Sequence, residues 1–303
     1  VSWVSKVLTD AGAARALLTV VLLAAAACAV AAVALARRAG APLRWLDVWR
    51  LPLALLSLWM LPSVYGGIGG DGFEYYALLR SPVIDQDLDF HNDFAGLGAQ
   101  PVLSSEGEVT ARTPIGTALL WLPAFLAAHV AATVGSWVGG AANDGFGALY
   151  QSAATSTSYA AGVAALVLIE RLLRRRHSAA LAMVAVLGIW LATPLHFYMT
   201  ANPFMSHAAS VFAATLFTAL WLRARRARTV RAWMWAGAAG ALTALVRVQD
   251  AVLLLPALVD LLLGPPREDG AEGVADTPSR PRLAAAFLAI PAAAGLAQLG
   301  VWG

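Results

Sequence analysis

ALYQSAATSTSYAAGVAALVLIERLLRRRH, residues 148–177, decides the fold. Its first 22 residues, 148–169, carry no charge, and the arginine cluster Arg171, Arg174, Arg175 and Arg176 follows at once. A membrane-spanning helix needs about 20 predominantly apolar residues, and clustered arginines mark the cytoplasmic end of such a helix. The same pattern recurs along the chain. Residues 17–36 form an apolar run closed by Arg37 and Arg38, too long and alanine-rich for a signal-peptide core. Residues 51–68 follow Arg44 and Arg50, and runs 114–138, 178–198 and 204–222 come next. Residues 223–231 (RARRARTVR) are a second arginine cluster. Residues 232–263 are too long for one crossing and contain Arg247, Gln249 and Asp250, so two helices are expected to meet there. A last run covers 283–301.

Composition agrees with this reading. Of 303 residues, 59% are hydrophobic and 13% charged. Soluble domains have roughly 45–50% apolar and about 25% charged residues. Cys28 is the single cysteine, which excludes a disulfide scaffold. Every cation except Lys6 is an arginine, placed between apolar runs and not in a groove interleaved with aromatics, so no nucleic acid partner is expected. The fold class is an all-α, polytopic transmembrane helix bundle of about eight crossings. It divides into an N-terminal extra span with a cytoplasmic loop (1–50), a membrane core (51–263) with an outer loop at 69–113, and a cytoplasmic loop with a last span (264–303).

Orientation raises one conflict. Both arginine clusters and residues 37–50 belong inside, which puts 69–113 outside. Parity is restored if 114–138 makes no net crossing; the alternative is that the arginine bias fails at one loop. Pro123 lacks an N–H and interrupts the helical ladder, so two short helices, re-entrant or juxtamembrane, are expected there.

With this topology the informative polar residues converge on the outer side. Asp71 and Glu74 follow a Gly-rich exit at a spacing that shares one helix face. Near hydrocarbon a carboxylate becomes basic enough to take a proton. The same pair also fits a capping box, with Asp71 at the cap and Glu74 reaching back. Asp85, Asp87, Asp89 and Asp93 read either as oxygen ligands for a divalent cation, Asp85 and Asp87 foremost, or as a solvated turn; the calcium-loop spacing is missing. Arg80, Arg112 and Arg247 are cations on the side where arginine is disfavoured. Each reads as an anion-binding group, or for Arg247 as a partner of Asp250, and for Arg112 as a headgroup anchor. His196, Tyr198, Asn202 and His207 flank one turn and read as a hydrogen-bonding rim for a sugar, not a metal site. His129 reads as a satisfied core histidine, and Glu170 as paired with neighbouring Arg171.

Five ordered motifs carry a family resemblance. They are G-D-G-x-x-Y-Y-x-x-L-R-S-x-x-x-D-x-D-L-D-F-x-N-D at 70–93, T-P-I-G-T-A-L-L-W-x-P at 113–123, T-P-L-x-F-Y at 193–198, P-F-M-S-H at 203–207 and L-V-R-x-Q-D at 245–250. Over residues 51–263 the chain resembles bacterial membrane glycosyltransferases of the GT-C fold, distant relatives of protein O-mannosyltransferases and lipid A aminoarabinose transferases. The resemblance implies an enzyme that moves a hexosyl or pentosyl group from a polyprenyl-phosphate donor to a glycan, lipid or protein acceptor at the outer face of a bacterial plasma membrane, within the cell envelope. It implies that Asp71 is the essential acid, with Glu74 next, and that Arg247 holds the donor phosphate. Members usually begin with one span before the outer loop and run well beyond 303 residues, so this chain is expected to be a fragment or a reduced member. Membrane lipids are expected partners, and no cofactor is implied beyond an open question over a divalent cation. The rival readings are a transporter or flippase of a lipid-linked anion, which usually shows repeats and midplane charge, and an inactive truncated protein.

Overall fold

The computed structural model describes residues 50–101, 103–104, 107, 109–137, 142–263 and 278–302. The expected span at 17–36, Arg37, Arg38 and Arg44, and most of the 264–282 loop lie outside these residues. The described chain is all-α. Its helices are α1 (Leu51–Met60), α2 (Gly72–Arg80), α3 (His91–Gly96), α4 (Gly116–Ser136), α5 (Ala148–Leu173), α6 (Ala179–Ala192), α7 (Leu195–Thr200), α8 (His207–Ala227), α9 (Val230–Val246), α10 (Leu254–Leu263) and α11 (Arg280–Trp302). A single antiparallel bridge, Leu103 to Val109, is the only extended pairing among the described residues.

Helices α4, α5 and α11 are long and apolar enough to cross a membrane. At 26 residues α5 extends about 39 Å. It sets the two ends of the bundle. At its C-terminal end Glu170 is fully buried, accepting from Arg50 Nε (3.0 Å) and Nη2 (2.9 Å) and from Arg174 Nη1 (3.2 Å). The expected partner Arg171 is replaced by Arg174 because i,i+4 side chains meet on a helix and adjacent ones do not. At its N-terminal end Gln151 accepts from the backbone N–H of Ile68 (3.1 Å), beside the loop that leads into α2. One end of the bundle is thus rich in arginine, and the other carries the 69–113 loop.

Local signals explain the breaks. Ser178 and Thr229 cap α6 and α9, accepting from the N–H groups of Leu181 (3.3 Å) and Ala232 (3.2 Å). The run 178–198 divides at Thr193-Pro194, since the residue before proline is driven out of helical geometry; Thr193 has φ −121° and ψ 167°. The run 232–263 divides as expected: α9 ends at Val246, a 3₁₀ turn covers Val248–Leu253, and α10 follows.

The 114–138 segment corrects one expectation. It is one unbroken 21-residue helix, with Pro123 inside. Proline removes a single ladder bond, and here its ring faces outward, so the helix tolerates it. Both ends of α4 nevertheless meet the loop end of the bundle. Gly116 lies against the backbone of Leu245 and Val246 at the end of α9. The turn beyond the other end brings the Asp144 carbonyl to Arg80 Nε (2.7 Å). His129 on α4 meets the Tyr150 hydroxyl at 2.8 Å, the satisfied histidine the sequence leads one to expect.

Close helix packing relies on glycine at the α9–α11 crossing. A Cβ at Gly237 would stand 2.2 Å from the Phe287 carbonyl oxygen, a backbone atom that cannot step aside. Gly237→Ala is therefore expected to lower the thermal unfolding midpoint in detergent. Overpacking costs about 1–3 kcal/mol, which outweighs a helix-propensity gain of about 1 kcal/mol. An unchanged or raised midpoint would mean the helices separate freely.

Candidate active site

The Gly-rich exit from α1 sets Asp71 in place. Gly70 adopts φ +54°, a left-handed conformation that other residues avoid. A Cβ on Gly72 would meet the Phe204 Cβ at 2.8 Å and its carbonyl oxygen at 2.9 Å. These glycines let the loop press against the 203–207 turn, which begins α8 with Ser206 at its cap. Asp71 sits at the N-cap of α2, exposed, and its side chain makes no capping hydrogen bond.

Glu74 does not form the capping box either. Its Oε2 accepts from the backbone N–H groups of Arg112 (2.5 Å) and Thr113 (3.0 Å), fastening the far end of the loop to α2. Glu74→Ala leaves two backbone donors without that acceptor. It is expected to cost about 1 kcal/mol of stability. Glu74→Gln, which keeps an acceptor oxygen, should retain most of it, as thermal unfolding would show.

Six further residues belong to the surroundings of Asp71. The Tyr75 phenol, one turn on along α2, lies beside Ser206 and in the fields of Asp71, Arg247 and Glu74. Burial pushes its pKa up, and neighbouring Ser206 only partly offsets this, so it stays a neutral phenol. His207 lies in the fields of Arg247, Asp71 and Asp250. Its ring stacks on Tyr198 with centroids 3.7 Å apart and 2° between planes. Asp250 accepts from Ser210 Oγ (2.6 Å), so it is engaged by α8 and forms no ion pair with Arg247. The cluster thus joins Asp71, Tyr75, Ser206, His207, Tyr198, Arg247 and Asp250 from α2, α7, α8 and the α9–α10 break.

Several buried polar atoms at this end have no partner among the described residues: Nδ1 of His196 and His207, Oγ1 of Thr113 and Thr117, and Nε2 of Gln298. Gln298 on α11 also accepts from the Ile115 N–H (2.9 Å), so α11 borders the start of α4. Buried polar atoms are normally satisfied, so such a group at one end of a bundle marks a place for a polar ligand.

Other candidates are placed elsewhere. Arg80 ends α2, about 13 Å along the helix from Asp71. It is buried, bonded to Asp85 Oδ2 (2.5 Å) and Asp93 Oδ1 (2.9 Å), and its guanidinium lies over the Phe146 ring at 3.8 Å. Burial pushes the Asp93 carboxyl up to about 6, against the pull of Arg80. Asp85 also accepts from Asn92 Nδ2 (2.8 Å), while Asp87 Oδ1 accepts from Ser81 Oγ (2.7 Å) and the Asp89 N–H (3.1 Å). Asp89 is spent on His91. These carboxylates therefore hold the loop together through protein donors, and no group of three metal-ligating side chains occurs among the described residues. The Arg112 guanidinium turns to the Leu103 carbonyl (2.7 Å). Sequence reading missed Tyr75 and Ser206. Tyr75 stands four residues after Asp71, a spacing that places both on one helix face.

Residues 132–272 match the family model of dolichyl-phosphate-mannose-protein mannosyltransferases. The matched stretch contains His196, Tyr198, His207, Arg247 and Asp250, whereas Asp71 and Glu74 precede it. No match to the chain was found among curated proteins or among solved structures. The family match, joined to the apolar helices, supports a membrane glycosyltransferase of GT-C type.

Proposed function

We propose that this chain is a GT-C-type membrane glycosyltransferase that moves a sugar from a polyprenyl-phosphate donor to an acceptor hydroxyl at the outer face of a bacterial plasma membrane. What supports this reading is that Asp71 and Arg247, far apart in sequence, act electrostatically on the same two side chains, Tyr75 and His207. An acid and a guanidinium within one cluster match the two charges that the reaction creates.

As the bond from the anomeric carbon to the lipid phosphate oxygen breaks, negative charge grows on that phosphate. Arg247 holds it through charge-assisted hydrogen bonds at a boundary where a fixed donor acts more strongly than in water. The acceptor oxygen attacks the opposite face of the anomeric carbon and gives its proton to Asp71. A single displacement with an oxocarbenium-like transition state inverts the anomeric centre. Tyr75 and Ser206 orient the Asp71 side of the cluster. His196, Tyr198 and His207 border the sugar, where unpartnered imidazole nitrogens meet hydroxyls. Glu74 holds the loop, and Arg80 and Arg112 act through loop structure instead of touching the donor.

The test is product analysis. Purified protein in detergent is incubated with labelled polyprenyl-phosphate sugars and candidate acceptors. A labelled glycoside of inverted configuration is expected. Retained configuration would remove the single displacement, and label that moves across vesicles without covalent transfer would favour a transporter.

A further inference from the structure

A second charged site lies at the opposite end of the bundle. A cavity of about 390 Å³ opens among the ends of α5, α8 and α10 and the starts of α9 and α11. Among the described residues five arginines line it, Arg176, Arg225, Arg226, Arg228 and Arg280, with one carboxylate residue, Asp260, and Arg280 Nη1 also donates to the Leu262 carbonyl at 3.0 Å. Asp260 is already engaged, by Arg225 Nε at 2.7 Å and Trp221 Nε1 at 3.3 Å. The other described residues on the wall, Leu222, Trp233, Leu261, Pro278 and Leu283, are apolar.

Arg228 adds an independent observation. It caps α8 at φ 48°, and its N–H donates to the Ala224 carbonyl at 2.9 Å. That left-handed position after a helix is normally glycine or asparagine, because a Cβ is disfavoured there. The chain holds an arginine in a conformation that favours glycine, and the side chain so placed lines the cavity.

We propose that this cavity binds the phosphodiester headgroup of an anionic phospholipid, away from the transfer site. Guanidinium groups pair with phosphate oxygens through two parallel N–H bonds, and several converging arginines suit one diester better than scattered counter-ions. Exposed Leu262 and Leu263 adjoin Leu261 on the cavity wall and give acyl chains an apolar surface beneath the headgroup. Arginine-rich ends of membrane helices face the cytoplasmic leaflet, where anionic lipids concentrate.

The test uses the full chain, delipidated in detergent, with three probes: phosphatidylglycerol, phosphatidylcholine and inorganic phosphate. Native mass spectrometry reads bound lipid, and the thermal unfolding midpoint reads stabilisation. Phosphatidylglycerol is expected to stay bound and raise the midpoint, whereas phosphatidylcholine and inorganic phosphate are not. The Arg226→Gln, Arg228→Gly double variant should bind phosphatidylglycerol about tenfold or more weakly. Its lipid-free midpoint is read alongside, so that loss of lipid binding is told apart from loss of fold; glycine suits the backbone at φ 48°. Equal retention of the two lipids, or undiminished binding by the variant, would overturn the proposal. Equal stabilisation by inorganic phosphate would assign the cavity to a soluble anion and overturn the lipid. Sugar transfer enters none of these readouts, so this result and that of the transfer assay are separable.

Discussion

Asp71→Asn should lower kcat for sugar transfer by about 10²–10⁴-fold, the usual effect of removing a general base. The substitution is nearly isosteric, and the Asp71 side chain makes no capping bond that folding would miss. Thermal unfolding should therefore barely change while turnover collapses. The loss should fall mainly on kcat, since the proton moves in the transition state and not on binding. Glu74→Gln serves as the comparison. Glu74 binds two backbone N–H groups, and glutamine keeps an acceptor for them, so its effect on turnover should be much smaller. Near-normal turnover by Asp71→Asn, with Glu74→Gln inactive, would move the base to Glu74.

Arg247→Ala should cost about 10²–10³-fold in kcat, as removal of one preorganised donor from a developing anion does. Unlike Arg80, Arg247 makes no ion pair within the fold among the described residues; its carboxylate neighbour Asp250 is taken by Ser210. Its removal should therefore leave the thermal midpoint near that of the parent. Arg247→Lys keeps the charge and loses the planar fork, so an intermediate rate is expected. If Arg247→Ala instead raises KM with kcat unchanged, the guanidinium binds donor and transition state equally and contributes no rate. Steady-state kinetics with a labelled lipid-phosphate donor would separate these outcomes.

What the sequence made legible follows from local rules. Apolar length anticipated the long helices α4, α5 and α11, because hydrocarbon thickness dictates such a length. Arg247, Gln249 and Asp250 announced the break between α9 and α10, and Pro194 the break after α6. What stayed hidden depended on distant partners. Glu74 looked like a capping-box residue, but its oxygen meets the backbone of residues 112 and 113, and nothing local encodes that meeting. Arg80 looked like an anion ligand, yet the Asp144–Phe146 turn closes over it and turns it into a loop fastener. Pro123 looked like a breaker, and α4 absorbs it because the ring points away from the packed face. Tyr75 and Ser206 carry ordinary side chains and gain significance only when α2 and the start of α8 are brought together.

The account depends on the 69–113 loop lying on the opposite face of the membrane from the arginine clusters. Leu88→Cys in a Cys28→Ala background puts one thiol on an exposed loop position. Arg226→Cys in the same background puts one at the arginine end. With an impermeant thiol reagent on intact cells, labelling of the Leu88→Cys protein is predicted, and labelling of the Arg226→Cys protein only after the membrane is opened. Labelling of the loop thiol only after opening would contradict the account, because Asp71 and Arg247 would then face the cytosol.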